Sequence, residues 1–150
     1  MTARISTGLA YNMLAQGMSM VMASGVIEIY DGFQPDTADL AESGNLLVVI
    51  TPNSLLFNPS LSQMLFLTSP SDGILSKDTS QTWSGIAVAS GYAGWARFYD
   101  QAYVHGADTS GLLNRIDFSC NSGELALSNY NIVTGETIVI DAFSFGLLTS

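Results

Sequence analysis

The strongest constraint on this chain is a recurring pattern of short apolar or alternating runs, each closed by turn-forming residues. Val26 to Tyr30 is β-branched and aromatic around one charge, Glu28, and stops at Asp31-Gly32. Leu46 to Thr51 is the most hydrophobic run and stops at Pro52-Asn53, so both of its faces are expected to be covered. Trp83 to Ala89 and Trp95 to Asp100 flank a bend at Gly91 and Gly94 and are expected to pair, with Trp95, Arg97 and Tyr99 pointing opposite to Ala96 and Phe98. Arg115 to Cys120 leads through Asn121-Ser122-Gly123 into Glu124 to Ser128. Tyr130 to Val133 is joined at Thr134-Gly135-Glu136 to the run from Thr137 to Phe145, and these two are expected to pair. In the last run Ile138, Ile140, Ala142 and Ser144 share one side, and Val139, Asp141, Phe143 and Phe145 the other. Between Asn53 and Ser80 the signals are weaker, and short edge strands or irregular loop both fit. Short strands at intervals of roughly 8–12 residues, with turn chemistry between them, predict a mainly β chain: an antiparallel β-sandwich or jelly-roll-like barrel.

Ahead of the first strand the period changes. Thr7 is placed to cap an amphipathic helix from Gly8 to about Ala23, with Leu9, Met13 and Met20 on one apolar line and Ala10, Leu14, Met18 and Val21 on the next. The chain therefore divides into an N-terminal helical arm, residues 1–24, and a β-sandwich domain, residues 25–150. Gly17 weakens such a helix by ~1 kcal/mol relative to alanine, so it should stand only when packed. Flexible thioethers suit an adaptable contact surface, which makes Leu9, Met13, Met18, Met20 and Met22 candidate assembly contacts. The alternative is that they cover one side of the chain's own core. As a signal peptide the segment is poor, because Gln16, Gly17 and Ser19 interrupt its apolar stretch. The longest aliphatic run, Leu46 to Ile50, is far below the ~20 residues that span a bilayer.

Charge narrows the function classes. Of 150 residues only 4 are Lys or Arg against 13 Asp or Glu, giving a net charge of −9, and charged residues make up 11%. Polarity comes instead from hydroxyls and amides. A surface so poor in cations lacks the footprint for nucleic acid or anionic lipid, so neither is expected as a partner. A mean hydropathy of +0.31 argues against disorder. Cys120 is the single cysteine, which excludes a disulfide framework and reads as a small apolar residue in a strand.

No catalytic signature is present: the chain has no G-x-S-x-G, H-E-x-x-H or G-x-x-x-x-G-K pattern. His105, the single histidine, reads as an exposed loop residue. One His and one Cys cannot complete a zinc site within one chain. Asp31, Asp36, Asp39 and Glu42 lack the spacing of a calcium loop and are expected to be a solvated acidic loop. No metal, cofactor or enzymatic activity is expected. Tyr92, Trp95, Tyr99 and Tyr103 form a candidate platform for carbohydrate, against the alternative that the tryptophans anchor the core.

Three stretches carry a family resemblance: Ala23 through Leu47, Thr82 through Asp100, and Gly123 to Ser128 followed by Gly135 to Ile140. They resemble small structural proteins of tailed bacteriophages and prophages. The resemblance implies a non-enzymatic virion component built for packing, of capsid decoration or cement type, with the major capsid protein or another virion protein as partner and a homo-oligomeric state. A tail- or neck-associated virion protein is the nearest alternative, and a carbohydrate-binding β-module for host recognition the next. An acidic module is repelled by packaged DNA, so a position on the outside of the particle is expected.

Overall fold

The computed structural model describes residues 3–9, 13, 17–61, 63–67, 74–120 and 124–146. In chain order they form β1 (Arg4–Ile5), α1 (Met18–Met22), β2 (Val26–Tyr30), β3 (Leu46–Pro52), β4 (Phe66–Leu67), β5 (Ile74–Lys77), β6 (Trp83–Ile86), β7 (Gly91–Tyr92), β8 (Trp95–Tyr99), β9 (Arg115–Ser119), β10 (Leu125–Leu127), β11 (Asn131–Ile132) and β12 (Thr137–Gly146). Nine strands run in the order β1-β9-β8-β2-β3-β6-β12-β5-β4, and β10 joins the same sheet beside β12. All of the pairings are antiparallel. This sheet curls into a half-barrel. The mainly β class is as the sequence implies, but ten strands join one curled sheet, with β7 and β11 as a separate two-stranded ribbon, where a two-sheet sandwich or jelly-roll-like barrel was expected.

Alternation explains which residues fill the curl. Ile27 and Ile29 of β2, Val48 and Ile50 of β3, Ala96 and Phe98 of β8, and Ile116 and Phe118 of β9 are all buried on the concave side. Trp83 and Phe143 close it from the other half, with ring centroids 5.5 Å apart, and Phe98 lies 6.2 and 5.9 Å from them. Cys120 is buried beside this cluster, and burial alone pushes its thiol up to about 12.

Two expected pairings give way to others. β6 lies between β3 and β12, whereas β8 lies between β2 and β9. The glycine bend does not make a hairpin, because Gly94 donates its amide to Tyr30 O (2.9 Å) and packs on Gly32. Likewise β11 pairs with β7, and β12 pairs with β6, β10 and β5.

In β12 the alternation changes phase. Ile138 and Ile140 are buried, Asp141 and Ala142 are both exposed, and Phe143 and Phe145 are buried. A register shift against β10 skips Asp141, pairing Leu127 with Ile140 and Ala126 with Ala142. One extra residue in a strand flips the facing of everything after it. The bulge thus frees Asp141 from the apolar face that strict alternation assigned to it.

The helix expected over Gly8 to Ala23 is interrupted. Residues 7–9 and Met13 are helical, but Gly17 has φ 93°, in the left-handed region, immediately before α1. Helical φ/ψ cannot pass through that value. Residues 10–12 and 14–16, including Ala10 and Leu14 of the expected apolar lines, lie outside the described residues, as does the turn at 121–123. The cap is also one residue earlier than expected: Ser6 Oγ accepts the Leu9 amide (3.2 Å), while Thr7 bonds to Asp39.

Candidate functional site

The alternate positions of β2, β8 and β9 build a polar layer on the side of the sheet away from the core. Register sets Glu28, Arg97 and Asp117 in one row, Tyr30, Trp95 and Ser119 in a second, and Val26, Tyr99 and Arg115 in a third. This layer is buried. The loop 31–45 and the loop 100–114 close over it, held to each other by the Asp108 amide on Asp39 O (2.7 Å).

Three carboxylates, Asp117, Glu42 and Glu28, organise the interior of the layer. Arg97 makes a bidentate bond to Asp117 (2.7 and 2.9 Å) and gives its remaining terminal nitrogen to Glu42 (3.1 Å) and Leu40 O (2.9 Å). Burial works against charge on Arg97, but the hydrogen bonds and charge of Asp117 outweigh it and hold the guanidinium above its ordinary pKa. Glu42 also accepts the Tyr99 hydroxyl (2.7 Å) and the Gly106 amide (2.9 Å). Partial burial opposes its charge, yet these donors and Arg97 bring Glu42 below the usual glutamate range.

Glu28, fully buried, accepts hydrogen bonds from the hydroxyls of Tyr30 and Tyr103 and faces His105 Nε2 at 2.9 and 3.0 Å. Tyr30 and Tyr99 share a hydroxyl contact at 2.9 Å, which links the two carboxylate centres. Burial raises Tyr30, Tyr99 and Tyr103 well above the usual phenol range, with Glu28 adding to each. The His105 side chain is 51% exposed. Its ring lies 5.1 and 5.0 Å from those of Tyr99 and Tyr103, and Tyr103 takes the left-handed φ of 50°. A carboxylate behind an imidazole orients the ring, as it does in acid–base catalysis. Here the arrangement also pins the 100–114 loop to the sheet.

The residues singled out from sequence scatter across this frame. Trp95 is buried, stacks on Tyr30 at 4.8 Å and donates Nε1 to Ser43 O (3.1 Å). Tyr99 is buried in the carboxylate network, with Tyr103 beside it at 5.3 Å. Tyr92 stands apart on β7 and is exposed. Of the assembly candidates, Leu9, Met18 and Met22 are in the core, Met13 packs against it and Met20 is exposed. The acidic loop is solvated at Asp36, and its other carboxylates also brace it: Asp31 accepts the Asn45 amide (2.6 Å), Asp39 the Thr7 hydroxyl (2.7 Å), and Glu42 enters the polar layer. Among the described residues, no three His, Cys, Asp or Glu side chains converge as metal ligands, and no helix is long and apolar enough to cross a membrane.

Sequence reasoning missed the pairing of Glu28 with His105. The available signal was a glutamate at a middle position of a strongly apolar strand, where charge must find a partner. It also missed that Arg97, Arg115 and Lys77 are buried, so three of the chain's four cations are withdrawn from the surface.

Large apolar side chains take the opposite path. At the end of the sheet where β2 begins and β3 ends, Met20, Leu55, Leu56, Leu61, Leu65 and Leu67 are exposed, and at the other end Ile86, Val88, Tyr92 and Val133. No protein-family model matches this chain, and no curated protein or solved structure matches it either.

Proposed function

We propose that this chain is a non-enzymatic assembly protein, a structural component of a tailed-bacteriophage virion that decorates or cements the capsid through protein–protein contacts. The observation that carries this reading is the composition of the exterior. Fourteen large hydrophobic side chains are exposed among the described residues, while three of the four cations are buried. Six of the fourteen, Met20, Leu55, Leu56, Leu61, Leu65 and Leu67, come from the segments beside the start of β2 and the end of β3, and exposed apolar patches mark contact sites.

The phage resemblance of residues 23–47 and 82–100 supplies the setting, and the anionic exterior favours a place away from packaged DNA. The major capsid protein is the partner this reading favours, with a tail or neck protein as the alternative. The polar layer serves as scaffold here: Glu28, Glu42 and Arg97 hold the loops 31–45 and 100–114 to the sheet. Peptide mass spectrometry of purified particles tests the proposal. The chain is expected at a copy number comparable to that of the shell subunits, and its absence from intact particles refutes the reading.

A further inference from the structure

We propose that the end of the sheet where β2 ends and β3 begins is a docking surface for a protein segment whose apolar centre is flanked by lysine or arginine. Five large side chains stand out there: Phe33 is 91% exposed, and Ile86, Val88, Tyr92 and Val133 are each more than half exposed. Alternation sets their facing. Ala87 is buried between Ile86 and Val88, and Ile132 is buried beside Val133, so the exposed members are the outward positions of their runs. Asn131 pairs with Tyr92, which puts Val133 and Tyr92 on the same outward face of the β7–β11 ribbon.

Backbone contacts lock these pieces together. The Val88 amide donates to Leu47 O, the Ala87 amide to Glu136 O and the Gly135 amide to Ala87 O, each at 2.8 Å. The Thr134 amide donates to Ser90 Oγ (3.0 Å). Gly94 packs on Gly32, the residue before Phe33, and Gly91 lies against Leu47 and the Asp31 carboxylate. The surface is therefore formed before a partner arrives, which spares the ordering cost of binding.

Charge selects the occupant. Two carboxylates edge this end, and both are held by neutral donors: Asp31 by the Asn45 amide and side chain (2.6 and 3.1 Å), Glu136 by the Asn129 side chain and the Val133 amide (both 3.2 Å). The bonds from Asn45 bring Asp31 below the usual aspartate range, so it stays ionised at neutral pH. Neither carboxylate meets a cation among the described residues, where Arg97, Arg115 and Lys77 are buried and Arg4 lies on β1, bonded to Asp36 O. A second copy brings the same acids and no cation to match them, and nucleic acid or anionic lipid brings more negative charge. A partner that rings an apolar contact with Lys or Arg meets both features, because complementary charge at the edge steers encounter and selects partners. The five side chains present on the order of 500 Å², less than the ~800 Å² per partner of a stable interface, so a single contact is of the transient, salt-sensitive class.

Docking of this kind rests on the assembly reading and adds the partner's chemistry; because the purified chain shows it without any particle, the two fail separately. Selection of a random peptide library on the full chain, followed by fluorescence anisotropy of the enriched peptides, tests it. Enriched peptides should carry an aromatic or aliphatic centre with flanking Lys or Arg, and should bind about tenfold more weakly when glutamate replaces the flanks. Added salt should weaken them as well. Val88→Asp with Val133→Asp should reduce binding about tenfold and Glu136→Gln about threefold, with unchanged circular dichroism spectra. Tyr92→Ala, which removes an exposed ring, should act in the same direction if the aspartates disturb the ribbon. Leu56→Asp with Leu61→Asp, at the opposite end of the sheet, should leave binding unchanged. Failure to enrich any peptide, enrichment of peptides without basic residues, or binding lost through the leucine pair but not the valine pair overturns the proposal. Self-association of the purified chain that Val88→Asp with Val133→Asp abolishes overturns it too, since a second copy then holds the surface.

Discussion

His105 Nε2 lies 2.9 and 3.0 Å from the two carboxylate oxygens of Glu28, so a half-exposed imidazole rests on a carboxylate that solvent does not reach. Strand β2 supplies the acid and the 100–114 loop supplies the ring, with Tyr103 from the same loop bonded to the same acid. Replacing Glu28 by Gln removes the charge that holds both. Because buried donors are then poorly matched, a loss of about 1–3 kcal/mol is expected. The loop should also become the first site of limited proteolysis, and unchanged cleavage between residues 100 and 114 would count against the clamp.

The Arg97–Asp117 pair sits in the middle of the same layer with neither side chain exposed. Removing one member of a buried pair strands the other, at a cost of about 3–5 kcal/mol. Asp117→Ala should therefore lower the urea midpoint severely. The double replacement Arg97→Met with Asp117→Leu should recover much of the loss, a recovery that a purely steric role for Arg97 does not give.

Acid should unfold the protein through its loop carboxylates. Asp31, Glu42, Asp78 and Asp108 all lie below their ordinary values, Asp31 and Asp78 chiefly through backbone amides, Glu42 and Asp108 through hydrogen bonds that outweigh burial. A carboxyl depressed in the folded state favours folding above its unfolded pKa, and that contribution fades as pH falls through the folded value. Stability should thus decline below about pH 4.5, in the region of the unfolded carboxyl values. Glu42→Gln should make the decline shallower, measured as urea midpoint against pH.

Tyr30, Tyr99 and Tyr103 are raised by burial and by the nearby Glu28. Near-ultraviolet titration should show part of the phenol signal rising at ordinary alkaline pH. The rest should appear together with loss of the β circular dichroism signal. A single smooth titration of the full amplitude in the folded protein would contradict the buried layer.

Gly17 gives a prediction whose sign is diagnostic. In a continuous helix from Gly8 to Ala23, Gly17→Ala would stabilise by ~1 kcal/mol. At φ 93° a Cβ meets nothing within 4 Å but forces a conformation that alanine disfavours. The substitution should therefore destabilise by about 1 kcal/mol or more. Thermal unfolding of the single variant decides between the two.

Local pattern made much of this fold legible. Val26 to Tyr30, Leu46 to Thr51 and Trp95 to Asp100 appear as strands within a residue of where period-2 alternation and turn residues place them, because side-chain facing is a local property. Strand partners were not legible. β6 and β8 are separated by two strands from earlier in the chain, β2 and β3, and pairing depends on which apolar faces meet in the curl. Residues 68–73, including Pro70 and Asp72-Gly73, lie outside the described residues and add nothing to either side.

By itself the sequence determined that the chain is mainly β, acidic and short of cations, since these follow from residue type and spacing. Tertiary structure decided where the few charges went. Glu28, Arg97 and Asp117 share a row because antiparallel register aligns positions nearly 90 residues apart, and two loops then shut them from water. With the charges drawn inside to satisfy one another, the leucines of 53–67 were left outside. No local pattern contains that exchange, because desolvation depends on everything that packs around a group.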